Sequence, residues 1–153
     1  MPKSIELIEL IKISKIPILT IRIGTEKFKI NTRKELEINQ NDVNHEILVH
    51  PKIYGFLGLT YSRLKGIYEE LESEKKHISA KLYLKYKGST VNGRPLSDDV
   101  AKAKVEVNED YRNIIGRLLH IKSQLTQMEV ILDAFKQKKE LIQTLSSNQR
   151  SIS

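Results

Sequence analysis

The chain has no cysteine and no tryptophan, and aromatic residues make up only 6% of it. Without thiols there are no disulfides, no thiolate metal ligands and no cysteine nucleophile, a composition that suits a reducing cytosol. Seven glycines and four prolines in 153 residues leave little turn-forming material, which fits paired helices better than a loop-rich enzyme. Long apolar runs are missing too. The best, "IPILTIRI" at 16–23, falls well short of the roughly 20 residues a membrane span needs. The opening "MPKSIELIELIK" sets glutamates among its apolar positions, unlike a secretory signal. The expectation is a protein that works in the cytoplasm without a membrane.

Catalytic patterns are equally scarce. His45, His50, His77 and His120 show no metal-ligand spacing. Gly55, Gly58, Gly88 and Gly93 form neither a phosphate-binding loop nor a dinucleotide fingerprint. The Asp98-Asp99 pair opens a helix, where capping explains it, and Glu69, Glu70, Glu72 and Glu74 read as a solvated helix face. No nucleophile has a recognisable base. A binding or assembly protein is expected, not an enzyme, with no cofactor and no metal.

What is present falls into two parts. Before residue 40, isoleucine alternates with polar residues. "LTIRIGTEKFKIN" sets Leu19, Ile21 and Ile23 on one face and Phe28 and Ile30 on another, about a turn at Gly24-Thr25-Glu26. Pro17 argues for an edge strand, and "SIELIELIKI" is open between a helix capped by Ser4 and a strand. Residues 1–40 are thus expected to be a small element with a β-hairpin.

From Asp42 the periodicity is helical. A short helix over 42–50 is expected, capped by Asp42, with Pro51 opening a long helix over 52–87. Its apolar stripe is Ile53, Leu57, Leu64, Ile67, Leu71, Ile78 and Leu82, and Gly88 stops it. Tyr54, Tyr61 and Tyr68 repeat every seven residues along one flank. "GSTVNGRPLS" is turn chemistry, after which Ser97 or Asp98 caps a second helix over 98–146. That helix carries Val107, Tyr111, Ile114, Leu118, Ile121, Leu125, Met128, Leu132 and Phe135 in alternating steps of four and three, the signature of a coiled-coil seam. Lys139 interrupts the series, Ile142 resumes it, and 147–153 should fray. The expected fold is mainly α: a long two-helix hairpin with coiled-coil-like heptads and a small N-terminal β-hairpin. A thin helix pair cannot hide the seam and its apolar flanks together, so a homo-oligomer is expected.

The formal net charge is +7, and one stretch carries most of it. "KKHISAKLYLKYKGSTVNGR", residues 75–94, holds five lysines, an arginine and no acid. Helix-dipole complementation accounts for Lys85 and Lys87 in the last turn, but not for Lys75, Lys76 or Lys81. On a helical wheel Tyr86 borders the apolar stripe, Tyr83 points away from it near Lys76 and Lys87, and His77, Lys81 and Lys85 form a row on the other flank. Lysines interleaved with exposed aromatics suit single-stranded nucleic acid, charge following the backbone while rings stack on bases. A solvated helix end is the plainer alternative.

The stretch from Asp42 to Gly88, with Tyr83-Leu84-Lys85-Tyr86-Lys87-Gly88 at its end and a heptad-bearing helix after it, resembles the UvsY-type recombination mediator proteins of tailed phages over residues 42–145. The family has a tyrosine pair where this chain has Lys85-Tyr86, and a longer C-terminal extension than "SSNQR". The resemblance implies a non-enzymatic homo-oligomer that binds single-stranded DNA and helps a RecA-like recombinase displace a single-strand-binding protein in recombination and repair. It would act in a bacterial host's cytoplasm if phage-encoded. By position it implies DNA contacts at Lys81, Lys85 and Lys87; charge and exposure add Lys75, Lys76, Tyr83 and Arg94. The competing expectation is a coiled-coil adaptor that binds only protein through the seam 107–135.

Overall fold

The computed structural model describes residues 18–23 and 25–152, apart from the side chains of Ile18 and Ile152. The elements are β1 (Ile18–Ile23), β2 (Glu26–Asn31), α1 (Thr32–Leu36), α2 (Val43–Lys87), β3 (Thr90–Val91), β4 (Arg94–Pro95), α3 (Asp98–Glu106) and α4 (Glu109–Ile152). The fold is mainly α with an N-terminal two-stranded hairpin, as the patterning predicts. The chain forms two compact units, one of residues up to Leu57 with those from Val130, the other Gly58–Glu129. Ser4, Pro17 and the turn residue Gly24, on which the strand and cap expectations partly rest, lie outside the described residues.

In the first unit, β1 and β2 pair antiparallel, with Leu19 opposite Ile30, Ile21 opposite Phe28 and Ile23 opposite Glu26. Directly opposed residues point to the same side of a sheet. The apolar residues of the two strands therefore share one face rather than taking two, and Ile21 on it is fully buried. Phe28 meets Phe56 of α2 edge-on, ring centroids 5.6 Å apart. The short helix α1, unforeseen in the sequence, is capped by Asn31, whose Oδ1 accepts from Lys34 N at 3.1 Å.

Helix α2 starts where expected, Asp42 Oδ1 accepting from His45 N at 3.0 Å. The anticipated break at Pro51 is absent, and the proline sits inside a 45-residue helix. Proline costs that helix one hydrogen bond. Pro51 is exposed, however, while Val43, His50 and Leu57 at seven-residue spacing form a buried row beside it. His50 Nε2 bonds Phe135 O at 2.8 Å and its ring stacks on Tyr54. Tertiary packing outweighs the local penalty.

Lys138 is buried in this unit. Its Nζ reaches Glu46 Oε2 at 2.9 Å and donates to Glu35 O at 2.8 Å, while Glu46 Oε1 accepts from Asn39 N at 3.0 Å. The buried row of α4 here is Ile131, Phe135, Lys138 and Ile142, so the interruption at Lys139 is a shift of the row by one residue, and Leu132 is only half-buried. Beyond residue 146 the helix continues to Ile152 instead of fraying. Ser147, Arg150 and Ser151 each donate to the carbonyl four residues back.

In the second unit α2 and α4 pack side by side. Leu71, Ile114 and Leu118 form its core cluster, with Ile67, Tyr68, Ile78, Ile115 and Ile121 packed on it. Arg117–Glu74 at 3.6 Å and Tyr61 Oη–Glu129 at 2.7 Å line the edges. Tyr61 and Tyr68 are half-buried, as Tyr54 is in the first unit, so the flank they share borders packed faces. The seam positions Ile114, Leu118 and Met128 are buried within this single chain, and Tyr111, Ile121 and Leu125 half-buried.

The second helix is not continuous over 98–146. Val107, placed on the seam, is the C-cap of α3 and 71% exposed. Asn108 then caps α4, its Oδ1 accepting from Asp110 N at 3.0 Å and from Tyr111 N at 3.4 Å. An asparagine cap followed by two acids opens a helix more favourably than it continues one.

Candidate nucleic-acid interface

The basic end of α2 is closed off by its own side chains and by the loop that follows. Gly88 N donates to Leu84 O at 3.0 Å, Ser89 N to Tyr86 O at 3.0 Å and Ser89 Oγ to Lys85 O at 2.9 Å. These contacts satisfy three of the carbonyls that a helix C-terminus leaves open. Asn92 and Gly93 both have positive φ, 53° and 76°, so Val91 pairs with Arg94 across a two-residue turn of the type that Asn-Gly favours. The chain returns at once. Leu96 N donates to Ser89 O at 3.3 Å, Leu96 is buried, and Ser97 Oγ accepts from Val100 N at 3.4 Å to cap α3.

This return sets Asp98, in the first turn of α3, against the end of α2. Its Oδ1 accepts from Tyr83 Oη at 3.1 Å and pairs with Lys87, whose Nζ also donates to Leu96 O at 3.1 Å. The Lys87 ammonium, then the Tyr83 hydroxyl, hold the Asp98 carboxyl below its usual range. Asp98 in turn raises both Lys87 and Tyr83 above theirs. Tyr83 is therefore half-buried and tethered, not pointing free as the helical wheel suggests. The wheel knows only α2, whereas the tether comes from α3. Tyr86 is half-buried as well. Its hydroxyl accepts from Asn108 Nδ2 at 3.1 Å and Lys104 Nζ lies 5.8 Å from its ring centroid.

The remaining predicted contacts divide by flank. Lys81 and Lys85 are exposed one turn apart, in a row with His77. Arg94 is exposed on β4. Lys76 is exposed and Lys75 partly covered, its Nζ 2.9 Å from Glu72 Oε2, a contact that raises its pKa. Lys75, Lys76 and Tyr83 line one cleft of about 520 Å³, whose other wall includes Lys102 and Tyr111. Sequence reasoning passed over Lys102 and placed Tyr111 on the seam. Their only signal was position: Lys102 lies one turn from Asp98, a relation that means nothing until Asp98 is seen to clasp α2.

Among the described residues no cluster of three or more histidine, aspartate or glutamate side chains could hold a metal ion, and no helix is long and apolar enough to cross a membrane. No protein-family model and no curated protein matches the chain. Solved structures do. Crystal structures of the bacteriophage T4 recombination mediator protein UvsY in lattice types IV, II and I are similar to it, with TM-scores of 0.62, 0.61 and 0.62 at 18%, 19% and 19% identity. They cover 80%, 78% and 80% of this chain and 93%, 90% and 96% of their own. The likeness is one of fold: the chain has a UvsY-like fold.

Proposed function

We propose that the protein is a non-enzymatic recombination mediator that binds single-stranded DNA. The observation that carries the proposal is the fold shared with UvsY over 80% of the chain, with the densest positive charge gathered at one end of α2. In this reading it helps load a RecA-like recombinase in the face of a single-strand-binding protein, and it acts as a homo-oligomer. The exposed pair Lys81 and Lys85 would follow the phosphate backbone, with Lys76 and Arg94 adding charge. Lys75 and Lys87 are engaged with carboxylates and would contribute only after exchanging them for phosphate. A protein-only adaptor docking through the seam is the weaker reading, because Ile114, Leu118 and Met128 are already buried in their own chain.

An anisotropy titration with an unstructured oligonucleotide at two salt concentrations tests the proposal. Binding should weaken steeply with salt, and Lys81→Ala/Lys85→Ala should flatten the log–log salt slope by about 1.4, roughly 0.7 per lost phosphate contact on a single strand. Absence of binding at low salt would sink the mediator reading.

A further inference from the structure

We infer that the cleft between α2 and α3 holds one nucleotide unit of the bound single strand. The base would lie against the rings of Tyr83 and Tyr111, and the phosphates would sit between Lys76 and Lys102. This inference rests on the single-strand reading above and adds to it a site on the flank of α2 away from Lys81 and Lys85.

The walls carry the argument. Ser79 and Ala80 line the α2 wall with small side chains, a gap at which a flat ring could come close to the helix. Lys76 and Tyr83 flank that gap on the same helix, while Lys102 and Val105 face it from α3 and Tyr111 from the start of α4. A volume of about 520 Å³ is within the range of sites that take a small ligand, about 300–1,000 Å³.

The chemistry fits a nucleotide better than an apolar guest. The Tyr83 hydroxyl is held by Asp98, so the ring is fixed at one edge and half-exposed. A ring held in this way is pre-oriented for stacking, and every base has a face to offer it. Lys76 and Lys102 are both exposed, and neither forms a direct ion pair among the described residues, although the Lys102 charge still acts on Asp98 through space. Glu106 is the single carboxylate lining the cleft, against three lysines. The charge of Lys75 is already met by Glu72, which leaves Lys76 and Lys102 as the available cations. An aliphatic ligand would leave those charges unanswered, and an acidic peptide would make no use of the two tyrosines that line the cleft.

The test uses the full chain and a fluorescent oligothymidine, with thymidine monophosphate as competitor. Lys76→Ala/Lys102→Ala changes two surface side chains and should leave the fold intact. It should lower affinity and flatten the log–log salt slope by about 1.4. Tyr111→Leu should lower affinity about tenfold without changing the slope, because stacking and not charge is lost. Photocross-linking with an oligonucleotide carrying 5-iodouracil should mark Tyr83 or Tyr111. Wild-type affinity and slope in the lysine double variant, or cross-links confined to other residues, would overturn the assignment. Thymidine monophosphate competing as strongly as the oligonucleotide would also overturn it, since the cleft would then be a free-nucleotide site. If Lys81→Ala/Lys85→Ala weakens binding while Lys76→Ala/Lys102→Ala does not, the cleft is excluded and the single-strand reading stands. If the wild-type chain binds no single strand, both fall.

Discussion

Two lysines show how differently the two units use a positive charge. Lys138 is 6% exposed, and its ammonium is met by the Glu46 carboxylate and the Glu35 carbonyl. Lys87 has its side chain 42% exposed, and its partner Asp98 is more exposed still, at 59%. Both are ion pairs on paper. A buried charge must be answered from within the protein, because no water is at hand to answer it. An exposed pair competes with solvent at every moment and contributes little to stability. The first pair is therefore structural. The second is exchangeable, as the proposed contact with phosphate requires.

The sharpest way to break this comparison is to remove the buried cation. Lys138→Ala leaves Glu46 charged and unpaired in a covered place, and loss of one partner from a buried pair costs about 3–5 kcal/mol. Chemical denaturation should show that loss as a lower midpoint, while Lys87→Ala should hardly move it. Equal effects would mean that burial does not separate the two pairs.

Acid offers a gentler probe of the same contact. Burial alone pushes the Glu46 carboxyl up, but the hydrogen bonds from Lys138 and from Asn39 N, with the Lys138 charge, outweigh it and bring it below 4.5. A carboxyl depressed in the folded state contributes stability above its unfolded pKa and loses it as pH falls through the folded one. The denaturation midpoint should therefore fall as pH drops below about 4.5, and Glu46→Gln should remove part of that fall. A variant that keeps the full acid dependence would show that other carboxyls carry it.

How much of this was legible in the sequence follows from the range of each interaction. Asp42, Ser97 and Asn92-Gly93 act on backbone within three residues, so local chemistry announces them. Pro51 misleads because its local cost is outweighed by the burial of His50 and Leu57, which the sequence around it does not reveal. The heptad rhythm runs smoothly through Val107 and masks the cap at Asn108, although Asn108-Glu109-Asp110 is itself a start signal. Lys138 and Tyr83 were beyond reach. The partner of Lys138 lies 103 residues away at Glu35, and Tyr83 is turned by an aspartate that only the returning chain brings near. In the candidate interface, the cations were visible as a charge run, but not which of them were already paired.

That last distinction yields the smallest effect and the most pointed test of the exchangeable pair. Asp98 occupies Lys87 much as a phosphate oxygen would, and it also holds the Tyr83 hydroxyl. Asp98→Asn keeps the side-chain shape and a hydrogen-bond acceptor for Tyr83 but removes the charge that engages Lys87. The thermal midpoint should stay close to that of the wild type, because the pair is exposed. Affinity for an oligonucleotide should rise, and the log–log salt slope should steepen by about 0.7 as one more phosphate contact becomes available. The buried counterpart, Glu46→Gln, should leave that slope unchanged. If Asp98→Asn also leaves it unchanged, Lys87 does not face the strand, and the pair is no more than the clasp that returns α3 to α2.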